Sequence, residues 1–289
     1  MVVRNLGTSV STRPPSISEF GILSRAAEVI TDDSNDWIGG FTYNTIDGNV
    51  SSSNRPIANS TTDTEIAVVT SAGAPTHRLY YPFEVSTTIK VSTMGVSPAE
   101  VLEQATQAIN VVIQKNIESE FWTGKLSDVL ITPNRNLSQT EVTNLTPGTS
   151  TTTGIRAKHG LAILERALGD ATIGSKGVIH ATRDVASVLD CSAQEGALVT
   201  KLGNFVVAGS GYTGSGPADA VPPTGMAWMY ATGPLTVRIG SLNVKAEDVS
   251  QNVNSSTNTI QYFVDRPAAV TWSTSKLYAV LVDLSLDLA

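Results

Sequence analysis

Ser97-Pro98-Ala99-Glu100 opens, and Gly124 closes, the stretch of this sequence that decides its architecture. Ser97 is an N-cap residue type, and Pro98 suits the first helical position, where its missing N–H costs nothing. Glu100, three residues after the cap, can return a side-chain hydrogen bond to it. Behind them Val101, Leu102, Ala105, Ile109, Val112, Ile113, Ile117 and Phe121 fall on one apolar stripe at helical spacing. Gly124 supplies the stop. The pattern predicts a helix over 97–123, a rod of about 39 Å at about 1.5 Å per residue. That is more than twice the mean helix length of about 11 to 12 residues, and no heptad repeat explains it.

Upstream, Leu79 to Val91 alternates, with Tyr81, Phe83 and Val85 on one face, and reads as a strand pair or one bent strand. Phe41 to His77 is rich in Ser, Thr and Asn, with a hairpin signal at Asp47-Gly48 and a second extended stretch at Glu65 to Thr70. A polar hairpin of this length carries too little apolar material to fold alone, so it must lie on its own body or on another subunit. In the first forty residues, Ile22, Leu23, Ala26, Ala27 and Ile30 recur at helical spacing and predict an arm with one short helix over 17–30.

Downstream, Thr132 to Thr153 is turn-rich, and Ile155 to Leu168 reads as a second helix ending at Gly169. A strand is expected at Val178 to Ala181 and a third helix from Thr182-Arg183-Asp184 towards Leu189. Asn204 to Ala208 is a strand entering a glycine-rich loop, Gly209 to Gly216. From Met226 on, strands are expected at 227–230, 235–239, 242–245, 259–264, 268–272 and 277–284. The class is α+β.

Composition narrows the functional classes. With 289 residues the chain is long for one compact domain and suits two interleaved ones. Lys and Arg total 19 against 26 Asp and Glu, a net charge of −7, and charged residues are only 16%, against about a quarter in an average chain. Ser and Thr make up about a fifth and take over the polar surface. With no basic run, a dedicated phosphate-backbone binder is disfavoured. One cysteine, Cys191, excludes an internal disulfide or thiolate cage. No apolar run approaches the roughly 18 residues needed to span a bilayer, and residues 1–7 lack an apolar signal core.

Each chemical motif has a plainer reading. Gly209-Ser210-Gly211-Tyr212-Thr213-Gly214 matches G-x-G-x-x-G after a strand, but Pro217 and Pro222-Pro223 follow where a phosphate-binding helix should begin. A surface loop is expected instead. Ser273-Thr274-Ser275-Lys276 fits S-x-x-K yet lies between strands without partner motifs, so it reads as a turn. His77, His159 and His180 show no metal-ligand spacing. Cys191 reads as a small buried hydrophobe, and Phe121 and Trp122 as packing anchors. No catalytic, cofactor-binding or metal-ligating residue is assigned, and the chain is not expected to be an enzyme.

The order of arm, polar hairpin, strand, isolated long helix, mixed segment and closing strands resembles the major capsid protein of tailed bacteriophages, the Hong Kong 97-type fold. Several segments are similar to capsid proteins of actinobacteriophages. They are Glu120-Phe121-Trp122-Thr123-Gly124, Leu202-Gly203 with Val206 to Tyr212, Tyr230 to Pro234 with Val237 to Gly240, Arg266 to Trp272, and Ala279 to Asp283. The resemblance implies an N-terminal arm (1–40), an extended hairpin loop (41–77) and a peripheral domain (78–150) with its spine helix at 97–123. An axial domain (151–245) and closing strands that return to the peripheral domain and its sheet (246–289) complete it.

Function would then be self-assembly into pentamers and hexamers of an icosahedral phage head, without a cofactor. Implied partners are many copies of the chain, a portal, separate scaffolding or decoration proteins, and packaged double-stranded DNA held without sequence-specific contacts. No membrane is involved. The protein would be a virion component assembled in the host cytoplasm. Relatives that weld subunits do so through a loop lysine, and Phe41 to His77 contains none, so that cross-link is not expected through this loop. No cleaved scaffolding segment is expected either. Two alternatives stay open, an encapsulin-type nanocompartment shell and a soluble nucleotide-binding enzyme using the Gly209 loop.

Overall fold

A computed structural model of the chain describes residues 18–32, 41–45, 76–92, 98–126, 134–171, 176–246, 253–254 and 259–287. In chain order the elements are β1 (Ala27–Asp32), β2 (Phe41–Thr45), β3 (Thr76–Tyr80), β4 (Phe83–Ser92), α1 (Pro98–Thr123), β5 (Thr143–Asn144), α2 (Ala157–Ala171), β6 (Val178–Thr182) and α3 (Arg183–Val188). There follow β7 (Ser192–Gln194), β8 (Ala197–Val199), β9 (Phe205–Gly209), β10 (Met226–Thr232), β11 (Leu235–Gly240), β12 (Asn243–Ala246), β13 (Val253–Asn254), β14 (Thr259–Trp272) and β15 (Tyr278–Asp283).

The long helix forms where its sequence places it, over 26 residues, and Ala105, Ile109, Ile113, Ile117 and Phe121 are all buried. Its cap residue, Ser97, lies outside the described residues. Against this stripe packs a six-stranded sheet in the order β1-β11-β14-β12, with β4 and β13 also on β14. β4 runs antiparallel along one edge of β14, from Phe83 opposite Ala268 to Ser92 opposite Thr259. On the other edge β12 covers Tyr262 to Asp265 and β11 covers Ala268 to Trp272. Pro267 therefore falls between the two partners on that edge, where the ladder asks for no donor. This is why the strands expected at 259–264 and 268–272 are one continuous strand.

The second sheet has seven strands in the order β5-β15-β10-β6-β9-β8-β7, and its central strands are buried on both faces. Alternate residues divide cleanly. Val178, Trp228, Tyr230, Ala279 and Leu281 pack on the α1 side, while Ile179, Met229, Ala231, Val280 and Val282 pack with Leu164 and Leu168 of α2 and Val185 of α3. Double-sided burial makes β6, β10 and β15 near-continuous apolar runs. β2 and β3 pair from Phe41–Tyr80 to Thr45–Thr76. The Asp47-Gly48 turn and the 65–70 stretch lie outside the described residues.

Two expectations are corrected. Residues 17–30 hold no helix among those described: turns lead into β1, which pairs in parallel with β11 from Ala27–Leu235 to Asp32–Gly240. Val29, Ile30 and Thr31 are β-branched and favour the sheet, and the free edge of β11 supplies partners that an isolated helix would lack. This part of the arm is therefore spent on the chain's own body. α2 continues through Gly169 to Ala171, because a lone helical glycine costs only about 1 kcal/mol. β11 and β12 (235–246) belong to the sheet under α1, and β15 lies in the seven-stranded one.

Candidate functional site

The last two turns of α1 are where the arm, both sheets and the glycine-rich loop meet. Glu118 is fully buried there and accepts from four donors on three separate segments. Oε1 takes the Ile22 amide at 3.0 Å and Gln114 Nε2 at 2.9 Å, and Oε2 takes Ser210 Oγ at 3.1 Å and the Gly211 amide at 2.8 Å. A buried carboxylate is tolerable only with such donors. Two glycines permit the approach. A Cβ on Gly211 would stand 2.1 Å from the Lys115 carbonyl oxygen, and one on Gly21 would meet the Gln114 amide. A further bond, Ala208 N to Phe20 O at 2.8 Å, fastens the arm to the end of β9.

One turn on, Trp122 donates to Ser215 Oγ at 3.0 Å and meets the rings of Tyr212 and Tyr230 at centroid distances of 4.7 and 5.0 Å. Phe121 contacts His180 and Trp272 edge-on at 5.2 and 5.5 Å. Burial and the nearby Glu118 charge hold the Tyr212 hydroxyl well above the usual phenol range. Phe121 and Trp122 are thus packing anchors.

His180 is buried, with Nδ1 2.9 Å from Tyr212 Oη and Nε2 2.9 Å from Thr232 Oγ1. The Thr232 hydroxyl donates to the Gly233 carbonyl, so Nε2 carries the proton and Nδ1 accepts from Tyr212. Burial pushes this imidazole down to about 3 from 6.5. The neutral form is thus held in the fold, while the unfolded chain binds a proton below about pH 6.5. The contribution is fully present above that pH and is lost as pH falls towards 3. At about 1.4 kcal/mol per unit, about 2 to 3 kcal/mol should go between pH 6.5 and 4. His180→Gln lacks this component, so thermal melts should show its deficit against wild type shrinking as pH falls across that range. A constant deficit would contradict the assignment.

The Gly209 loop is not the expected surface loop. Gly209, Gly211, Tyr212, Gly214 and Gly216 are buried, and the loop leads through a 3-10 turn, Pro217–Asp219, into β10. The Gly211 amide, which a pyrophosphate would need, already serves an internal carboxylate of the same charge sign. The S-x-x-K segment is a turn as expected. Arg135 lies 4.0 Å from the Trp272 ring centroid and donates to the Thr274 and Ser275 carbonyls. His180 and His159 lie apart, on β6 and α2, and the structure of His77 beyond its β3 pairing is not described. Cys191 is half-buried, and burial with the Asp190 and Glu165 charges raises its thiol to about 11, away from nucleophilic use. Among the described residues no group of three or more His, Cys, Asp or Glu is placed to hold a metal ion, and no helix is long and apolar enough to cross a membrane.

Sequence reading missed Glu118. It stands four residues after Gln114, beside the apolar stripe, and in sequence looks like any glutamate on a solvated helix face.

No protein-family model matches the chain, and no curated protein does. Solved structures do. The capsid of a native GTA particle superposes with a TM-score of 0.56 at 12% identity, covering 97% of this chain and 96% of its own. Mycobacterium phage Adephagia gives 0.53 at 12% identity over 94% and 91%. The holo-SrpI encapsulin complex of Synechococcus elongatus gives 0.52 at 12% identity over 99% and 98%. The fold is the Hong Kong 97-type capsid fold. The likeness covers 94 to 99% of the chain, and the fold is the α+β architecture expected from the order of elements.

Proposed function

We propose that the chain is the major capsid protein of a tailed bacteriophage, assembling through pentamers and hexamers into an icosahedral head around double-stranded DNA. The observation that carries this reading is the end-to-end likeness to capsid shells. A second support is that, among the described residues, β2 and β3 pair with each other in a two-stranded sheet outside both large sheets, as a 41–77 hairpin reserved for a neighbouring subunit requires. The net charge of −7 suits a container that must not bind its genome tightly.

In this reading the sheet under α1 is the peripheral domain, and the seven-stranded sheet with α2 and α3 is the axial domain. The subunit would be non-enzymatic and part of the virion, assembled in host cytoplasm. Portal and separate scaffolding or decoration proteins would complete the head.

The encapsulin likeness, which covers 99% of the chain, favours a second reading, a shell around a cargo protein. Purified particles treated with nuclease distinguish the two. Protected double-stranded DNA of uniform length supports the phage head, and DNA-free particles holding a second protein support the nanocompartment.

A further inference from the structure

Two surface features on opposite faces of the seven-stranded sheet match each other. The first is a rigid knob between β9 and β10. Ala218 and Asp219 both adopt left-handed backbone, with φ of 57° and 56°, an arrangement that costs free energy unless the surroundings enforce it. Here Ala218 N donates to Ser138 O at 2.6 Å and Gly216 N to Ala220 O at 2.8 Å. The turn thus holds Asp219 exposed and presents Val221, 89% exposed, ahead of Pro222-Pro223. A valine fixed at the tip of a constrained loop loses little freedom on binding. The knob is rooted on the α1 side of the sheet, where Gly216 lies against the Trp228 indole and Tyr230 Oη donates to Ser215 O.

The second feature is a groove of about 410 Å³ between α2 and the turn that joins β8 to β9. Leu161, Ala162 and Leu202 give it an apolar lining, and Leu202 is 77% exposed. Lys158 and Arg166 stand at its rim, while Lys201 is paired with Asp190. Glu165, buried in its wall, accepts from Asn204 Nδ2. α2 packs on the face of the sheet opposite α1, whereas the knob is rooted on the α1 side.

We propose that the Asp219–Val221 knob of one copy seats in the α2 groove of the next, Val221 on the apolar lining and Asp219 towards Lys158 and Arg166. An apolar centre with a charged rim is the ordinary anatomy of a protein interface. A contact between two different patches is heterologous and closes into a ring when the rotation allows. The inference rests on the shell reading and names one contact within it.

The test uses Leu202→Cys in a Cys191→Ala background, labelled with a benzophenone maleimide, assembled into particles and irradiated. The expected product is a ladder of covalent oligomers whose cross-linked peptide contains residues 217–225 of another copy. A link to any other segment, including residues 1–17 or 46–75, a link to a different protein, or intact particles without any link overturns the proposal. Unlabelled wild-type protein that never leaves the monomer overturns the shell reading itself, and this contact with it. Val221→Asp should lower particle yield about tenfold while leaving the melting temperature of the isolated subunit unchanged. Undiminished yield contradicts the seating.

Discussion

Glu118→Ala should cost the isolated subunit about 3–5 kcal/mol in urea unfolding, by analogy with removing one partner from a buried charged network. The substitution removes the acceptor for the Ile22 and Gly211 amides, the Gln114 amide and the Ser210 hydroxyl together. Each orphaned buried donor costs about 1–3 kcal/mol, offset where water enters the vacated space. Glu118→Gln should fall between, because its amide keeps one acceptor but turns a second donor towards Ser210 and Gly211. The arm should also come loose first, so proteolysis in the variant should begin upstream of β1. A loss under about 1 kcal/mol for the alanine variant would show that Glu118 does not hold the three segments together.

Gly211→Ala should have an effect of the same order, about 3 kcal/mol or more, at the severe end of overpacking. The added methyl carbon would sit 2.1 Å from the Lys115 carbonyl oxygen and 2.9 Å from the Ser119 amide nitrogen. Both obstacles are backbone of α1, which cannot swing aside as a side chain can. Gly21→Ala is the internal comparison. Its methyl meets the ends of the Gln114 and Glu118 side chains, which can shift at the expense of their mutual bond where α1 backbone cannot, so the loss should be smaller. Urea unfolding of the two variants checks the order, and Gly21→Ala proving the more damaging would contradict the close approach of loop and helix.

What the sequence disclosed followed from local chemistry. The long helix carries its own start, stop and stripe within 28 residues, 97–124, and its 26 helical residues run as that pattern requires. The prolines after the Gly209 loop ruled out a phosphate-binding helix for a reason the geometry repeats. What stayed hidden depended on partners far along the chain. The spacing of Ile22, Leu23, Ala26, Ala27 and Ile30 suits a helix as well as it suits turns and a strand, and only β11, some 200 residues on, selects the strand. Pro267 reads as a break unless one knows that β12 ends and β11 begins beside it. Glu118 is legible only once the arm and the loop lie opposite α1. The positive φ at Ala218 has no sequence signal, since alanine is not a residue that such a backbone favours.

Electron microscopy of the purified, expressed protein, with cryo-reconstruction of whatever forms, tests the central claim most directly. Icosahedral shells or capsomer rings are expected, with α1 and both sheets fitting the density of each subunit. A monodisperse population of monomers at concentrations where capsid subunits assemble would contradict the account.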